Sequence, residues 1–470
     1  MTAAAAATAG PTGFMGHATA LASLAVPLVL SNVAGFAIHL TDVVLMGRYD
    51  ITALAGMVLA SSFYFIVFIT GSGFAVAVLP LVAQAAEEGR DDEVRRVTRM
   101  GLWLTVGFAL VALPFLVLSG EIFRAMGQDP EVADYAGRYL AIAGWMIVPA
   151  LVIALVRSFL SALEHAAVLL WVTLGMAVVN GLWGYALIFG AWGFPEMGIE
   201  GAAWAALATN GLGAVLLAAY ALWRLPRYRL LQRLWRPDWA ALGRVFRLGW
   251  PISVQLLAEV GLFAGSALMV GWVGAVPLAA HGVALQLASL AFMIHLGLSQ
   301  AATVRTGQAV GRGDARGLRQ GAVAAVALSV ATALLTSAVF LLVPETLLGL
   351  FTKESDADRA EVLAVGATLL ALAALFQLFD GAQVVAIGLL RGVQDTAVPM
   401  VMAAVSYWVV GLPLAYVLGF GLTLDPVPGV GLDQVGVWLG LVGSLVVASA
   451  LLIGRFWWLA RSQPRPAAAA

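Results

Sequence analysis

The chain is expected to be an all-α polytopic membrane protein, with twelve transmembrane helices in two six-helix lobes related by a pseudo-two-fold axis. Three observations carry this expectation. Of its 470 residues, 62% are hydrophobic and 11% charged, with mean hydropathy +0.95, whereas a soluble protein carries roughly 25% charged residues. Twelve apolar runs are each long enough to cross a bilayer, which takes about 20 residues. Residues in the first half recur in the second at one constant offset.

In chain order, residues 1–16 hold no Lys or Arg. A secretory signal would carry a charged leader, so these residues are expected to form a short disordered tail. The runs follow at 17–47, 52–84, 97–119, 134–157, 162–190 and 200–224, then at 246–273, 277–308, 317–343, 360–390, 395–420 and 434–460. They are too long and too continuously apolar for barrel strands, which alternate in segments of about ten. Pro27 and Pro251 sit inside the first and seventh runs and Pro399 near the start of the eleventh, where each should bend its helix. The expected organisation is an amino lobe 17–224, a linker 225–245, a carboxy lobe 246–460 and a tail 461–470. The linker is rich in Arg and Trp. It should lie along the cytoplasmic interface as a short amphipathic helix, its arginines near anionic lipid.

The repeat has an offset of 224. Pro27, Leu54, Ala55, Gln84, Ala85, Gly89 and Arg95 recur as Pro251, Leu278, Ala279, Gln308, Ala309, Gly313 and Arg319. Six spans per copy is an even number, so both copies enter the membrane in the same direction, a parallel repeat. Twenty of the 25 basic residues fall on one set of loops plus the carboxy terminus; the other five are Arg48, Arg124, Arg138, Lys353 and Arg359. That bias places both termini in the cytoplasm and the chain in the inner membrane.

Three acids lie well inside apolar runs: Asp42, Glu259 and Asp380. A carboxylate at bilayer depth costs on the order of 3 kcal/mol or more. Asp380 is flanked three residues away by Gln377 and Gln383, near one helix face. Glu259 and Asp380 belong to the same copy, and a neighbouring carboxylate and burial together let such a pair exchange protons or share a cation. Packing through a hydrogen-bonded carboxyl is the competing reading for each acid. Asn32, Asn180, Asn210 and Gln255 also lie in spans, where an amide serves helix packing or ligand contact alike. His39, His281 and His295 read first as packing residues. Trp103, Trp145, Trp183, Trp204, Trp272 and Trp408 read as interfacial anchors, with one or two lining an apolar cavity.

The chain has no cysteine, which excludes disulfides, thiolate metal sites and cysteine catalysis. Net charge is −1, which offers nothing to nucleic acid. No metalloprotease, nucleotide-binding or nucleophile-elbow motif occurs, no cofactor is expected, and the protein is not expected to be an enzyme.

Pro27 with Asp42 and Gly47, the paired segments QAAEEG and QAVGRG, Glu259, and FQLFDGAQVVAIGLLRGVQDT together resemble the multidrug and toxic compound extrusion (MATE) family, NorM-like branch. The resemblance spans 17–460. It implies a monomeric secondary antiporter that expels organic, often cationic, compounds by alternating access in exchange for H⁺ or Na⁺. By similarity Asp42 maps to the amino-lobe acid, Glu259 and Asp380 to the carboxy-lobe cation pair (Na⁺ ligands if the ion is Na⁺), and Asn180 to a family asparagine. Asn32, Gln255, Gln377 and Gln383 are supporting candidates. Gly184, Ala206 and Phe376 depart from the family pattern, each removing an oxygen ligand, so H⁺ and Na⁺ both stay open. A lipid-linked precursor flippase of the same superfamily is the nearest rival, and an intramembrane enzyme using the carboxyl pair is the rival from another class.

Overall fold

A computed structural model describes residues 13–351, 359–422 and 431–462. The expected tails at 1–12 and 463–470, and Lys353, lie outside the described residues. Twelve helices are long and apolar enough to cross a membrane, and no strand occurs among the described residues. In chain order they are α1 (Gly13–Tyr49), α2 (Ile51–Glu87), α3 (Asp91–Val117), α4 (Pro130–Ala162), α5 (Ala166–Phe189), α6 (Gly198–Arg224), α7 (Trp239–Val273), α8 (Ala275–Gly311), α9 (Ala315–Leu342), α10 (Arg359–Gly392), α11 (Ala397–Phe420) and α12 (Asp433–Ser462). The repeat is visible in these bounds. Both α2 and α8 have 37 residues and start at positions 51 and 275, the same offset as in the sequence. A short helix follows the third span of each half, at Ser119–Ala125 and Pro344–Gly349.

The chain forms two compact units, Leu30–Leu256 and Met1–Val29 with Leu257–Ala470. The division falls inside α1 and α7, a few residues past Pro27 and Pro251. Both helices run on through their prolines without a break in assignment. Glycines show why each helix start packs where it does. A Cβ on Gly297 of α8 would sit 2.8 Å from the Val29 nitrogen, and one on Gly73 of α2 would sit 2.6 Å from the Ser253 nitrogen. Such backbone approaches are the usual means of tight helix association in lipid.

In the Leu30–Leu256 unit, α2 packs on α3 and α4, and α5 on α6. In the other unit α10 is central, against α8, α9 and α12. The α8–α10 seam is polar. Ser299 Oγ donates to the Val384 carbonyl at 2.6 Å and Thr303 Oγ1 to the Gly388 carbonyl at 2.9 Å. Two spans are not plain α-helix. A 3₁₀ turn at Gly144–Met146 interrupts α4, and a π-helical stretch, Val405–Gly411, interrupts α11.

The linker is not an amphipathic helix. Between α6 and α7 only Pro226–Tyr228 forms a 3₁₀ turn. Arg229 and Arg233 have φ of 46° and 58°, and Pro226 and Pro237 bracket them; left-handed residues and prolines do not extend a helix. The segment is instead tied to the start of α3. Arg96 pairs with Asp238, Arg99 Nη1 donates to the Arg233 carbonyl at 3.0 Å, and Trp103 Nε1 donates to the Leu234 carbonyl at 2.9 Å. Asp238 also caps the next helix, accepting from Ala241 N at 3.0 Å. The hydrogen bond and charge of Arg96 hold the Asp238 carboxyl below its ordinary 3.8. Its contribution is therefore complete above the ordinary value and is lost only as pH falls through the lower folded value. Asp238→Asn should loosen the linker at neutral pH, costing about 1 kcal/mol through the weakened cap alone. Limited trypsin cleavage at Arg229, Arg233 and Arg236 should accelerate several-fold; an unchanged digestion rate would show that the tether does not depend on this carboxylate.

Candidate functional site

The Leu257–Ala470 unit gathers most of the candidate polar groups around α10. Asp380 is 1% exposed, and Gln377 and Gln383 are fully buried on the same helix. Glu259, half-buried on α7, lies within electrostatic reach of Asp380, of Arg391 and of Tyr407. Gln377 Nε2 donates to the Ala288 carbonyl of α8 at 3.1 Å, which fixes the amide and leaves its oxygen free. Tyr407 comes from the π-helical stretch of α11. Its hydroxyl approaches Gln383 without completing a hydrogen bond of good geometry. Four buried oxygens thus lack a hydrogen-bond partner: Gln377 Oε1, Asp380 Oδ1, Gln383 Oε1 and the Tyr407 hydroxyl. Buried polar atoms are seldom left so. An oxygen-rich set with one or two carboxylates can take up a proton or hold a hard monovalent cation.

The walls of this cluster are aromatic. Phe376, one turn before Asp380, has its ring centroid 6.1 Å from Phe263 and 6.0 Å from Trp438. Trp438 Nε1 donates to His281 Nδ1 at 3.0 Å. An indole N–H can only donate, so His281 Nδ1 is the bare nitrogen and its proton sits on Nε2, which has no partner. His295 pairs with Ser329 at 3.3 Å, and a Cβ on Gly381 would lie 2.7 Å from its Nδ1. The residue after Asp380 must therefore be very small. Trp408 Nε1 donates to the Ala258 carbonyl at 3.1 Å, fixing α11 against α7 beside Glu259.

The other unit holds a simpler arrangement. Asp42, half-buried on α1, accepts from Asn180 Nδ2 of α5 at 2.6 Å; Asn180 is 1% exposed. Tyr139 of α4 lies in the field of Asp42. Gly184 and Ala206 add no oxygen, and a Cβ on Gly184 would meet the Leu45 side chain at 3.1 Å. Asn32 of α1 accepts from Arg157 of α4 at 2.7 Å. Asn210 donates to Met146 Sδ at 3.0 Å and to the Ala206 carbonyl at 2.9 Å, a packing role. Gln255 is 3% exposed and belongs to this unit's part of α7. Trp145 and Trp204 line an apolar cleft of about 530 Å³ with Ala141, Ile142 and Leu207.

Sequence reasoning therefore found Asp42, Asn180, Glu259 and Asp380 but not Tyr407 or Arg391 as neighbours of the acids. Arg391 counted only toward loop charge, and Tyr407 faces the cluster because of a local π-helix that no residue pattern announced.

Known proteins place the chain. The MatE family profile matches it twice, over residues 27–186 and 251–417, and the two matches start at Pro27 and Pro251, the offset of the repeat. "Probable multidrug resistance protein NorM" of Rhizobium meliloti (strain 1021) is 46% identical over 448 residues, 95% of this chain and 94% of that protein. "Multidrug resistance protein NorM" of Burkholderia vietnamiensis is 35% identical over 453 residues, 95% of each. Among solved structures, one described as the outward-facing conformation of a multidrug resistance MATE family transporter of the MOP superfamily has a TM-score of 0.86 at 17% identity, covering 96% of this chain and 97% of that one. A crystal structure of the eukaryotic MATE transporter AtDTX14 has a TM-score of 0.82 at 19% identity, covering 96% and 99%. The twice-matched profile and the near-full-length relatives show that the chain belongs to the MatE family.

Proposed function

We propose that the protein is a secondary multidrug antiporter of the inner membrane, exporting organic cations in exchange for an inward-moving H⁺ or Na⁺. The observation that carries this reading is the buried Asp380, whose Oδ1 has no hydrogen-bond partner and which lies in the field of Glu259. A carboxyl buried for packing alone would find a donor, because an unmade bond costs about 1–3 kcal/mol. Here the missing partner is the transported ion. Its arrival neutralises the cluster and changes which conformation is stable, which is what coupling requires. The near-full-length NorM relatives support the drug-export half of the reading. The basic-residue bias supports cytoplasmic termini, with the monomer as the working unit.

Asp42 and Asn180 form a second acidic site able to meet a cationic substrate or a proton. The charge-assisted bond from Asn180 orients the carboxylate. Asn180→Ala should weaken export of a cationic dye by several-fold while gradient-driven uptake of the coupling ion survives; equal loss of both would assign Asn180 to the fold instead.

The test of the whole reading is transport in sealed vesicles loaded with a fluorescent cation. A pH gradient and a Na⁺ gradient are imposed separately. Efflux should respond to at least one, with matching counter-movement of that ion. Efflux that ignores both gradients would reject coupled antiport.

A further inference from the structure

We infer that Arg157 and Asn32 form a binding subsite for a carboxylate, so that organic solutes carrying a carboxyl group as well as a cationic group are substrates; this rests on the export reading above. Arg157 lies five residues before the end of α4, which runs on to Ala162, and is half-buried. Its partner is Asn32 Oδ1, at 2.7 Å. No acid among the described residues pairs with it, in contrast to Arg96 with Asp238 and Arg455 with Asp395. Asn32 is 7% exposed, its oxygen is committed to the guanidinium, and its Nδ2 has no acceptor.

Together the two side chains offer donors alone. A guanidinium has five N–H groups in a planar fork and no acceptor, and the one acceptor in reach is already used. The complement of a cationic, donor-only site is an anionic oxygen, and a carboxylate fits the fork best. Asn32 is held in place from the adjacent residue, where Ser31 Oγ and Thr173 Oγ1 join α1 to α5 at 3.0 Å.

The internal repeat shows that the fold does not need this charge. Glu164 and Gln394 occupy the same left-handed turn after the fourth and tenth spans, with φ of 63° and 62°. With that turn in register, the counterpart of Arg157 is Ile387, 3% exposed. The second copy packs an apolar residue where the first places a cation. Along α1, Asp42 lies ten residues beyond Asn32, about 15 Å at 1.5 Å per residue. An acid and a base that far apart in one unit suit a solute with both charges.

The experiment measures binding of a zwitterionic fluorescent amine-carboxylate and of its methyl ester to the purified full chain in nanodiscs. The wild type should favour the carboxylate by about tenfold, the scale of one charge-assisted hydrogen bond. Arg157→Gln should bring the ratio near one. Asn32→Asp, which supplies an internal carboxylate of nearly the same shape, should do likewise while remaining folded and monodisperse. A preference retained in either variant, or no preference in the wild type, overturns the subsite. Nanodiscs of phosphatidylcholine and of phosphatidylglycerol separate the sources of anionic oxygen. A preference present in both supports a solute; one abolished by phosphatidylglycerol makes a lipid phosphate the occupant and overturns the solute assignment. Failure of gradient-driven efflux with the binding preference intact would reject the antiport reading and leave the subsite standing.

Discussion

Asp380→Asn should reduce ion-driven efflux to the level of protein-free vesicles while leaving the amount of folded protein in the membrane unchanged. The two halves of this expectation have separate physical causes. Asparagine has nearly the shape of aspartate, so the fully packed surroundings, with Asp380 1% exposed, are not disturbed. Its added N–H₂ meets a neighbourhood that holds unpartnered acceptors, Gln377 Oε1 and Gln383 Oε1 on the same helix. The fold therefore loses nothing. What disappears is the titratable, ion-binding oxygen, and no other acid replaces it. Glu259 is the informative contrast. It lies in the field of Arg391, so Glu259→Gln also removes a counter-charge from a cation inside the membrane, which is expensive. Glu259→Gln should lower both transport and thermal stability in detergent, whereas Asp380→Asn should lower transport alone. Gradient-driven efflux at the wild-type rate by the Asp380 variant would remove that carboxylate from the coupling mechanism.

The parts of this fold that were legible in the sequence are those fixed by solvent and by repetition. Twelve spans follow from the length of apolar runs, and the bounds of α2 and α8 reproduce the offset of 224 because helix ends are set by the same loop residues in both copies. Asp42 and Asn180 could be named separately, but that Asn180 Nδ2 reaches Asp42 is a contact across 138 residues of chain. Periodicity carries no such information. The linker was misread because its Arg and Trp content suits an interfacial helix, while its conformation is set by left-handed residues and by bonds to α3. Tyr407 was missed for a related reason. A π-helical insertion rotates the following residues by a fraction of a turn, so face assignments at ordinary helical spacing fail beyond it. Arg157 was counted as a marker of topology because it stood at the expected end of a span. The helix continues past it, and what distinguishes it is the absence of an acid, which only coordinates reveal.

The second large effect is on stability and concerns α12. Gly440 sits where this helix crosses the last part of α11, and a Cβ built on it would lie 2.3 Å from both the Cα and the nitrogen of Ala415. Those are backbone atoms of a packed helix, so no side-chain rotation can relieve the overlap. The two helices would have to separate, losing dispersion contacts along a seam that also carries Gly436, whose added Cβ would lie 2.3 Å from the Leu418 carbonyl. In lipid no hydrophobic gain compensates, because separated helices simply exchange each other for acyl chains. Gly440→Ala should therefore destabilise by about 1–3 kcal/mol or more, the range for overpacking. The control lies on the same helix. Gly454 has open space around its Cβ position, so Gly454→Ala meets no clash and should gain up to about 1 kcal/mol in helix propensity. Thermal unfolding in detergent should show Gly440→Ala below and Gly454→Ala at or above the wild type. Equal melting temperatures for the two variants would mean that the α11–α12 crossing is not as close as these contacts require. The expected difference matters for the ion cluster as well. Trp438 stands two residues from Gly440 and packs on Phe376, one turn before Asp380. A displaced α12 would open the aromatic wall that shields the carboxylate, so Gly440→Ala should also admit water to Asp380 and weaken coupling, whereas Gly454→Ala should leave it intact.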